Sequence, residues 1–278
     1  MKQFERTEVA GISLPRILIG TNWLLGWSHK SRAADKLITD RFDTREKFYP
    51  IFEAYSQYGI DAVMAPASQH PLFMEAINYY RDKSGKDIII VDTPIVNVSD
   101  SASDRAEAEA TIKGSAKIGA AFCLIHHSCA EKLVNKDKGT MDRLNDYTSM
   151  IRDVGVKPGL SAHMPELIIY ADKNGYDVET YIQLYNCTGY LMQVEVETVA
   201  AIINSAKKPV MTIKSMSAGR CTPYIGLNFV WNTIRKQDMV TLGCFSKEDV
   251  HEDVEISFAA LERRCPSFFP KEMNDVVS

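Results

Sequence analysis

Eight short apolar runs, separated by longer amphipathic segments, restrict the fold of this chain more than any other feature. The runs are rich in Ile and Val and almost unbroken, which is typical of strands buried on both faces of a parallel sheet. They cover residues 16–22, 61–66, 87–94, 121–127, 156–163, 181–186, 209–216 and 239–245. Because the segments between them have helical periodicity, the pattern predicts an α/β protein of alternating strands and helices.

Helix start signals support this alternation. Thr222 precedes Pro223, which is the usual order of an N-cap and a first-turn proline. Residues 246–249 and 43–46 each have the spacing of a capping box. The sequence therefore predicts helices that begin at these three places.

The number and evenness of the units favour one particular α/β fold. The chain has 278 residues, 45% of them hydrophobic, with no break in composition. A (β/α)₈ TIM barrel commonly has this length and fills it alone. The alternative is a doubly wound open sheet, but no GxGxxG motif follows the first apolar run. We therefore predict a single (β/α)₈ barrel domain over residues 1–278.

Charge and hydropathy exclude several classes of partner. The net charge is −4 and no run of Lys and Arg occurs, so a nucleic-acid partner is not predicted. No apolar run reaches the roughly 18 residues that span a bilayer, and the first residues lack the apolar core of a signal peptide. The six cysteines are scattered without a CxxC pair, as for free thiols in a reducing compartment. The expectation is a cytoplasmic protein with a small-molecule partner; a homo-oligomer stays open.

Polar side chains collect at the predicted strand ends, where TIM barrels place their active sites. Five of the six histidines fall there or in the following loops. The strand ends carry Asp92, His126, His127, His163, Asn186 and Lys214, and His29 and His70 lie in loops. Adjacent strand residues face opposite sides, so His126 and His127 are not expected to point into the barrel together. One should face the mouth while the other packs outward.

Several chemistries fit these residue types. Asp92, His126 and His163 end consecutive strands, so they could hold a divalent metal or transfer protons without one, with His126 as base and Asp92 orienting it. A hydrogen bond that merely closes the barrel mouth is the structural alternative. Lys214 could bind an anion, form an ion pair, or form a Schiff base if its pKa is lowered.

The loop at residues 23–42, which follows the first strand, is unusually long and carries Trp23, Trp27 and His29. A loop of this kind is a candidate lid. The two tryptophans could stack on a sugar ring or a nicotinamide, or simply pack.

Five motifs occur in order in the second half: "LIH" (124–126), "GLSAH" (159–163), "YIQLYN" (181–186), "KPVMTIKSMSAGR" (208–220) and "LGCFSKEDVHEDVE" (242–255). Residues 121–260 thereby resemble the aldo-keto reductase superfamily. The resemblance implies that His126 faces the mouth and that Ser161 and Gln183 contact a nicotinamide amide. It also implies that Lys214 and Ser246 lie near the phosphates of NAD or NADP.

The first half departs from that family. Met64 stands at the position of its catalytic Asp, Asp92 at that of its Lys, and residues 67–73 contain no Tyr. The missing Asp and Lys would lower the pKa of the missing Tyr, which donates a proton to the carbonyl. Of the family's four catalytic residues, His126 alone is retained. NAD(P) is therefore less favoured than a rebuilt chemistry.

Three functional hypotheses follow. The first is an enzyme that transfers protons on a small polar carbonyl or sugar-like substrate, as an isomerase, lyase or hydrolase, with or without a divalent metal. The second is an NAD(P)-dependent oxidoreductase with a substituted tetrad, and the third is an inactive barrel that binds a metabolite or partner. The expected catalytic residues are His126, Asp92, His163 and Lys214. The expected substrate-binding residues are Trp23, Trp27, His29, His70, Ser161, Gln183 and Asn186.

Overall fold

Eight parallel strands close into a barrel in the computed structural model, which describes residues 1–268. The strands are β1 Arg6–Val9, β2 Ile12–Pro15, β3 Ile17–Gly20, β4 Ala62–Ala65, β5 Ile89–Asp92, β6 Phe122–Ile125, β7 Val134–Asn135, β8 Thr140–Met141, β9 Lys157–Ala162, β10 Tyr181–Leu184, β11 Val210–Ile213 and β12 Met239–Leu242. The barrel order is β3-β4-β5-β6-β9-β10-β11-β12, and β12 pairs with β3. Each predicted apolar run contains one barrel strand, which confirms the (β/α)₈ fold.

Helices follow every barrel strand, as the alternation predicts. They are α1 Arg32–Arg41, α2 Tyr49–Ser56, α3 Pro71–Ser84, α4 Ala102–Lys117, α5 His127–Ala130, α6 Leu144–Asp153, α7 Glu166–Asn174, α8 Val196–Ser205, α9 Pro223–Thr233 and α10 Lys247–Glu262. Residues 269–278, which the predicted domain includes, lie outside the described residues. Within residues 1–268, no helix combines the length and apolar character needed to cross a membrane.

Two layers of apolar side chains stabilise the barrel, because both faces of each strand are buried. Alternate strand residues such as Leu18, Val91 and Leu124 fill the interior. Their neighbours, among them Ile90 and Cys123, pack outward against the helices. This alternation decides which strand-end side chains reach the inside of the barrel.

Two hairpins were not predicted. β1 and β2 pair antiparallel, and Val9 and Leu14 join the inner apolar layer, so this hairpin closes the amino-terminal end of the barrel. β7 and β8 form a short hairpin in the loop after α5. A single barrel strand per apolar run could be predicted, whereas these short strands lack a continuous apolar signal.

Two of the three predicted helix starts are confirmed. Thr222 caps α9 by accepting a hydrogen bond from the Ile225 amide. Ser246 and Asp249 form a reciprocal capping box at α10. The predicted box at residues 43–46 is wrong: Thr44 precedes a short 3₁₀ helix, Arg45–Phe48, and its side chain makes no capping hydrogen bond.

Candidate functional site

A cavity of about 630 Å³ opens at the carboxyl ends of the barrel strands. This volume suits a small molecule. Seven predicted site residues line it: Trp23, Trp27, His29, His126, Ser161, His163 and Lys214. Met64, Ile182 and Ile213 contribute apolar wall. The cavity thus combines apolar walls with a few converging polar groups, as binding sites in this position usually do.

His126 lies one residue beyond β6, where the chain turns from strand to helix. Its ring caps the four-residue helix α5, with Nδ1 accepting a hydrogen bond from the Ser128 amide. The Ser128 hydroxyl lies 2.8 Å from the same nitrogen. A ring nitrogen that accepts from a backbone N–H carries no proton, so neutral His126 bears its proton on Nε2. His126 can therefore donate a hydrogen bond from Nε2, and its role as a base stays a prediction.

His127 also lines the cavity, so the prediction that it packs outward is wrong. Its ring centroid lies 4.2 Å from that of His126 and 3.9 Å from that of His163, and it stacks on His163 at 15°. The alternation rule fails here because β6 ends at Ile125 and α5 begins at His127. Side chains in a helical turn follow a different period from those in a strand.

Glu131 supports the histidines and was missed by sequence reasoning. Its Oε1 accepts hydrogen bonds from the amides of His163 at 2.7 Å and Met164 at 3.0 Å. The same oxygen lies 4.0 Å from His127 Nδ1. The separation of four residues between His127 and Glu131, typical of side-chain pairs within a helix, was the available signal. Glu131 thus holds the chain just after β9, beside the imidazole of His127.

Burial keeps the three imidazoles uncharged. It lowers the pKa of His126 and of His127 to about 4, and that of His163 to about 3. Repulsion from the Lys214 ammonium contributes to all three shifts. At neutral pH these rings are consequently free to accept or donate hydrogen bonds without carrying charge. The Nε2 atom of His163 is buried and has no hydrogen-bond partner.

Lys214 directly follows β11 and lies on the cavity wall in the left-handed backbone region, with φ of 58°. This conformation is uncommon for a residue with a side chain and is frequent at functional sites. Within residues 1–268 its ammonium group has no hydrogen bond or ion pair, whereas the partly buried cations of Arg152 and Arg235 are paired with carboxylates. Burial lowers its pKa to about 8.

Asp92 does not converge with the histidines, contrary to prediction. It is fully buried outside the barrel, where Oδ1 accepts from the Ser68 amide at 3.2 Å and Oδ2 from the Ser115 hydroxyl at 2.6 Å. Alternation explains this placement, because Val91 faces inward and Thr93 lines the cavity. The metal site predicted from Asp92, His126 and His163 is therefore wrong. Among residues 1–268, no group of three His, Cys, Asp or Glu side chains is arranged to hold a metal.

Four other predicted residues lie off the cavity. Asn186 organises its own loop, accepting from the amides of Thr188 and Tyr190. His70 precedes α3 and contacts the edge of Trp27, with ring centroids 5.0 Å apart. Gln183 is buried, and its amide donates to the carbonyls of His163 and Leu184. The fourth, Ser246, is occupied as the N-cap of α10.

The remaining predicted residues form the cavity wall. Trp23 packs edge-on against Phe245, at 6.0 Å, while Trp27 is 38% exposed. His29 has φ of 56°, and its Nδ1 lies 2.9 Å from the Trp27 carbonyl. Half of the segment at residues 23–42 is helical, because α1 covers Arg32–Arg41. Closure of this loop over the cavity stays a prediction.

The resemblance implies a bound nicotinamide cofactor, but the residues at this site do not fit one. Ser161 and Lys214 line the cavity, but the Gln183 amide is turned onto backbone carbonyls and does not reach it. At the implied phosphate end, the first turn of α10 carries Glu248 and Asp249. Two carboxylates there would repel phosphates. The chemistry proposed below therefore does not use this cofactor.

Comparisons with known proteins agree on the fold. No family model and no curated protein sequence matches the chain. Among solved structures it is similar to a Pseudomonas aeruginosa protein provisionally assigned as an aldo-keto reductase, with a TM-score of 0.68 and 12% identity over 94% of this chain and 98% of that one. The aldo-keto reductase-like TIM barrel is thus confirmed at the level of fold.

Two further structures show how widely this fold is shared. One is a truncated 3-deoxy-D-arabino-heptulosonate 7-phosphate synthase from Thermotoga maritima, with a TM-score of 0.52, 12% identity, and 92% and 93% of the two chains covered. The other is a xylose isomerase domain-containing protein from Salmonella typhimurium, with a TM-score of 0.51, 10% identity, and coverage of 89% and 97%. Neighbours of different reaction types leave the reaction class to be argued from the site.

Proposed function

We propose that this chain is an enzyme that transfers a proton at the carbon next to the carbonyl group of a small polar substrate. The observation that carries the proposal is the convergence of three uncharged imidazoles and one unpaired lysine on a single cavity. Such a set supplies both an electrophile for a carbonyl oxygen and an acceptor for a proton.

Each group has a distinct role. The Nε2–H of His126 donates a hydrogen bond to the carbonyl oxygen, and Lys214 activates the same carbonyl group from the cavity wall. The imidazole of His163, which lines the same cavity, receives the proton from the neighbouring carbon. Glu131 holds the backbone of His163 in place, so the acceptor is positioned before substrate binds.

The substrate class follows from the cavity. Tryptophan side chains on the wall suit stacking against a sugar-like ring or chain, and Ser161 and Ser215 offer hydroxyl groups. Ser215 lines the cavity, and its Oγ is buried without a hydrogen-bond partner. Similarity to folds named for sugar isomerisation and for heptulosonate synthesis is consistent with a carbohydrate-like substrate.

Hydrogen–deuterium exchange tests the proposal without knowledge of the final product. The protein is incubated in D₂O with glyceraldehyde, dihydroxyacetone, pyruvate and small aldoses, and the carbon-bound protons are followed by NMR. We expect exchange next to the carbonyl of at least one compound, and its loss in His163→Asn. His251→Asn is the matched control, because His251 lies on α10 and pairs with Tyr58.

Absence of exchange with every compound would contradict proton transfer. If the compounds raise the melting temperature without exchange, the cavity binds metabolites and the third hypothesis, an inactive binding barrel, is favoured.

A further inference from the structure

We infer that Lys214 is a nucleophile that condenses with the carbonyl carbon of the substrate to form an imine, which restricts the substrate to aldehydes and ketones. This inference rests on the proposed function, because it assigns a covalent role to a residue of the same cavity.

The absence of a counter-ion in the site carries the inference. Lys214 is the one lysine or arginine among the cavity-lining residues of the described chain. Asp35 is the acidic residue on the same wall, but its Oδ1 accepts from the amide and hydroxyl of Ser28, at 2.7 and 2.6 Å. Glu131 is engaged by two backbone amides. A lysine held as a permanent cation would be expected to have a carboxylate partner.

The backbone at Lys214 is held in a defined turn. The Lys214 carbonyl accepts from the Ser217 amide at 2.8 Å, which closes a tight turn. Arg220 anchors the far end of this turn by donating to the His29 carbonyl at 3.0 Å and lying 3.9 Å from the centre of the Tyr190 ring. A held backbone limits the positions that the amine can take, which reduces the entropy lost when the amine attacks a bound carbonyl.

The protonation state suits a nucleophile. With the pKa of Lys214 lowered to about 8 by burial, on the order of a tenth of the amines are uncharged at pH 7. An exposed lysine has a far smaller uncharged fraction at that pH. Desolvation is a recognised means of activating lysine toward carbonyl groups.

The chemical balance requires no cofactor. The Nζ lone pair forms the N–C bond while the carbonyl π electrons move to oxygen, which takes one proton from the nitrogen to give a carbinolamine. Its hydroxyl group then takes up the proton that Lys214 lost on becoming a free amine and leaves as water, while the nitrogen lone pair forms the C=N bond and gives a protonated imine. His126 and His127 relay these protons across the cavity. The net change is the loss of one water.

Formation of an imine also explains how a base as weak as His163 can remove a proton from carbon. His163, with a pKa near 3, has little driving force to deprotonate a carbon next to an ordinary carbonyl. A protonated imine withdraws electrons more strongly than a carbonyl group does, so the neighbouring C–H becomes acidic enough for a neutral imidazole of this kind.

Reductive trapping tests the inference. The full chain is incubated with glyceraldehyde, dihydroxyacetone or pyruvate and sodium cyanoborohydride, then analysed by intact mass and peptide mapping. We expect one adduct on Lys214, formed at least ten times faster than on Lys30, an exposed lysine at the rim of the same cavity. Lys30→Met should leave this adduct unchanged.

Lys214→Arg is the discriminating variant, because it keeps a cation at the site but cannot form an imine. It should lose the adduct, while its melting temperature shows whether it folds. If it does not fold, the site of labelling in the unmodified chain decides the question. Labelling of Lys214 no faster than that of Lys30 with all three probes would overturn the inference. So would stabilisation of both wild type and Lys214→Arg by inorganic phosphate with no adduct, which would make Lys214 an anion-binding residue.

The outcomes separate this inference from the proposed function. Deuterium exchange without an adduct supports proton transfer and overturns the imine. An adduct without exchange supports the imine and contradicts proton transfer at the neighbouring carbon.

Discussion

Asp92 and Lys214 are both ionisable residues at the carboxyl ends of barrel strands, yet their surroundings are opposite. Asp92 lies between the barrel and the helices, where Ser68 and Ser115 each donate a hydrogen bond to it. Lys214 lies inside the barrel mouth, where no group of the described chain pairs with it. Burial opposes the charge of both, raising the pKa of Asp92 and lowering that of Lys214.

The contrast separates a structural role from a functional one. A buried polar group with satisfied hydrogen bonds contributes to stability, whereas a partly buried amine without a partner lowers stability and is retained for another reason. Position at a strand end is therefore insufficient to identify a catalytic residue. The side of the strand and the partners of the group distinguish the two cases.

The largest expected effect is on Lys214. Lys214→Met should lower the rate of deuterium exchange by about 10²–10⁴-fold, because it removes the group that activates the carbonyl. Its melting temperature should stay equal or rise, since an unpaired buried amine is replaced by an apolar chain. The deuterium exchange rate and the melting temperature of the variant are measured beside those of wild type. If Lys214→Met stays active, or if it is markedly less stable than wild type, then Lys214 has a structural role as Asp92 does.

The histidine pair is expected to show the next largest effect. His126→Asn and His127→Asn should each lower the exchange rate by about 10²-fold, because both rings line the cavity. Asn at position 126 can still cap α5, so its stability should be nearly unchanged. His251→Asn is the control, because His251 does not line the cavity and its exchange rate should equal that of wild type. Full activity in His127→Asn would restore the outward-facing placement that alternation predicts.

Asp253 extends the comparison to a buried carboxyl group with one weak partner. It is 4% exposed, the Cys244 thiol donates to it at 3.5 Å, and burial raises its pKa to about 7, with Asp249 and Glu252 adding to the shift. The folded pKa exceeds the unfolded one, so the stabilising effect is complete below about pH 4 and is lost as pH rises through 7. Between pH 5 and pH 8 the unfolding free energy should fall by about 2 kcal/mol from this residue.

Urea unfolding across this pH range, in wild type and Asp253→Asn, measures the effect. The asparagine variant should have a flatter pH profile, because it cannot ionise. Identical profiles in the two proteins would show that Asp253 is not the titrating group.

The smallest expected effect is on Asp92. Asp92→Asn should lower the unfolding free energy by about 1 kcal/mol, because one of the two hydrogen bonds must change its direction. Its exchange rate should equal that of wild type. Asp87→Asn is the matched surface control, since that carboxylate is mostly exposed and pairs with Arg81. A loss of activity in Asp92→Asn would place Asp92 back among the catalytic residues.

The barrel could be predicted from sequence because the signal is local and repeated. A strand buried on both faces must be apolar almost throughout, so each barrel strand leaves an unbroken run, and caps at Thr222 and Ser246 delimit the helices that follow. The β1–β2 hairpin was missed because its strands are half exposed and short. Similarity to solved barrels at 12% identity is consistent with a fold specified by pattern more than by particular residues.

The sequence by itself determined that polar residues gather at the barrel mouth, since the carboxyl ends of parallel strands lie on one side. Tertiary structure alone decided which of them meet. On β5 the side chain of Asp92 points away from the cavity, because side chains alternate along a strand. The helical turn of α5 places the side chain of His127 in the cavity. Glu131 reaches His163 across 32 residues of chain, and no segment supplies Lys214 with a carboxylate. Such pairings depend on distances between loops remote in sequence, which local periodicity does not encode.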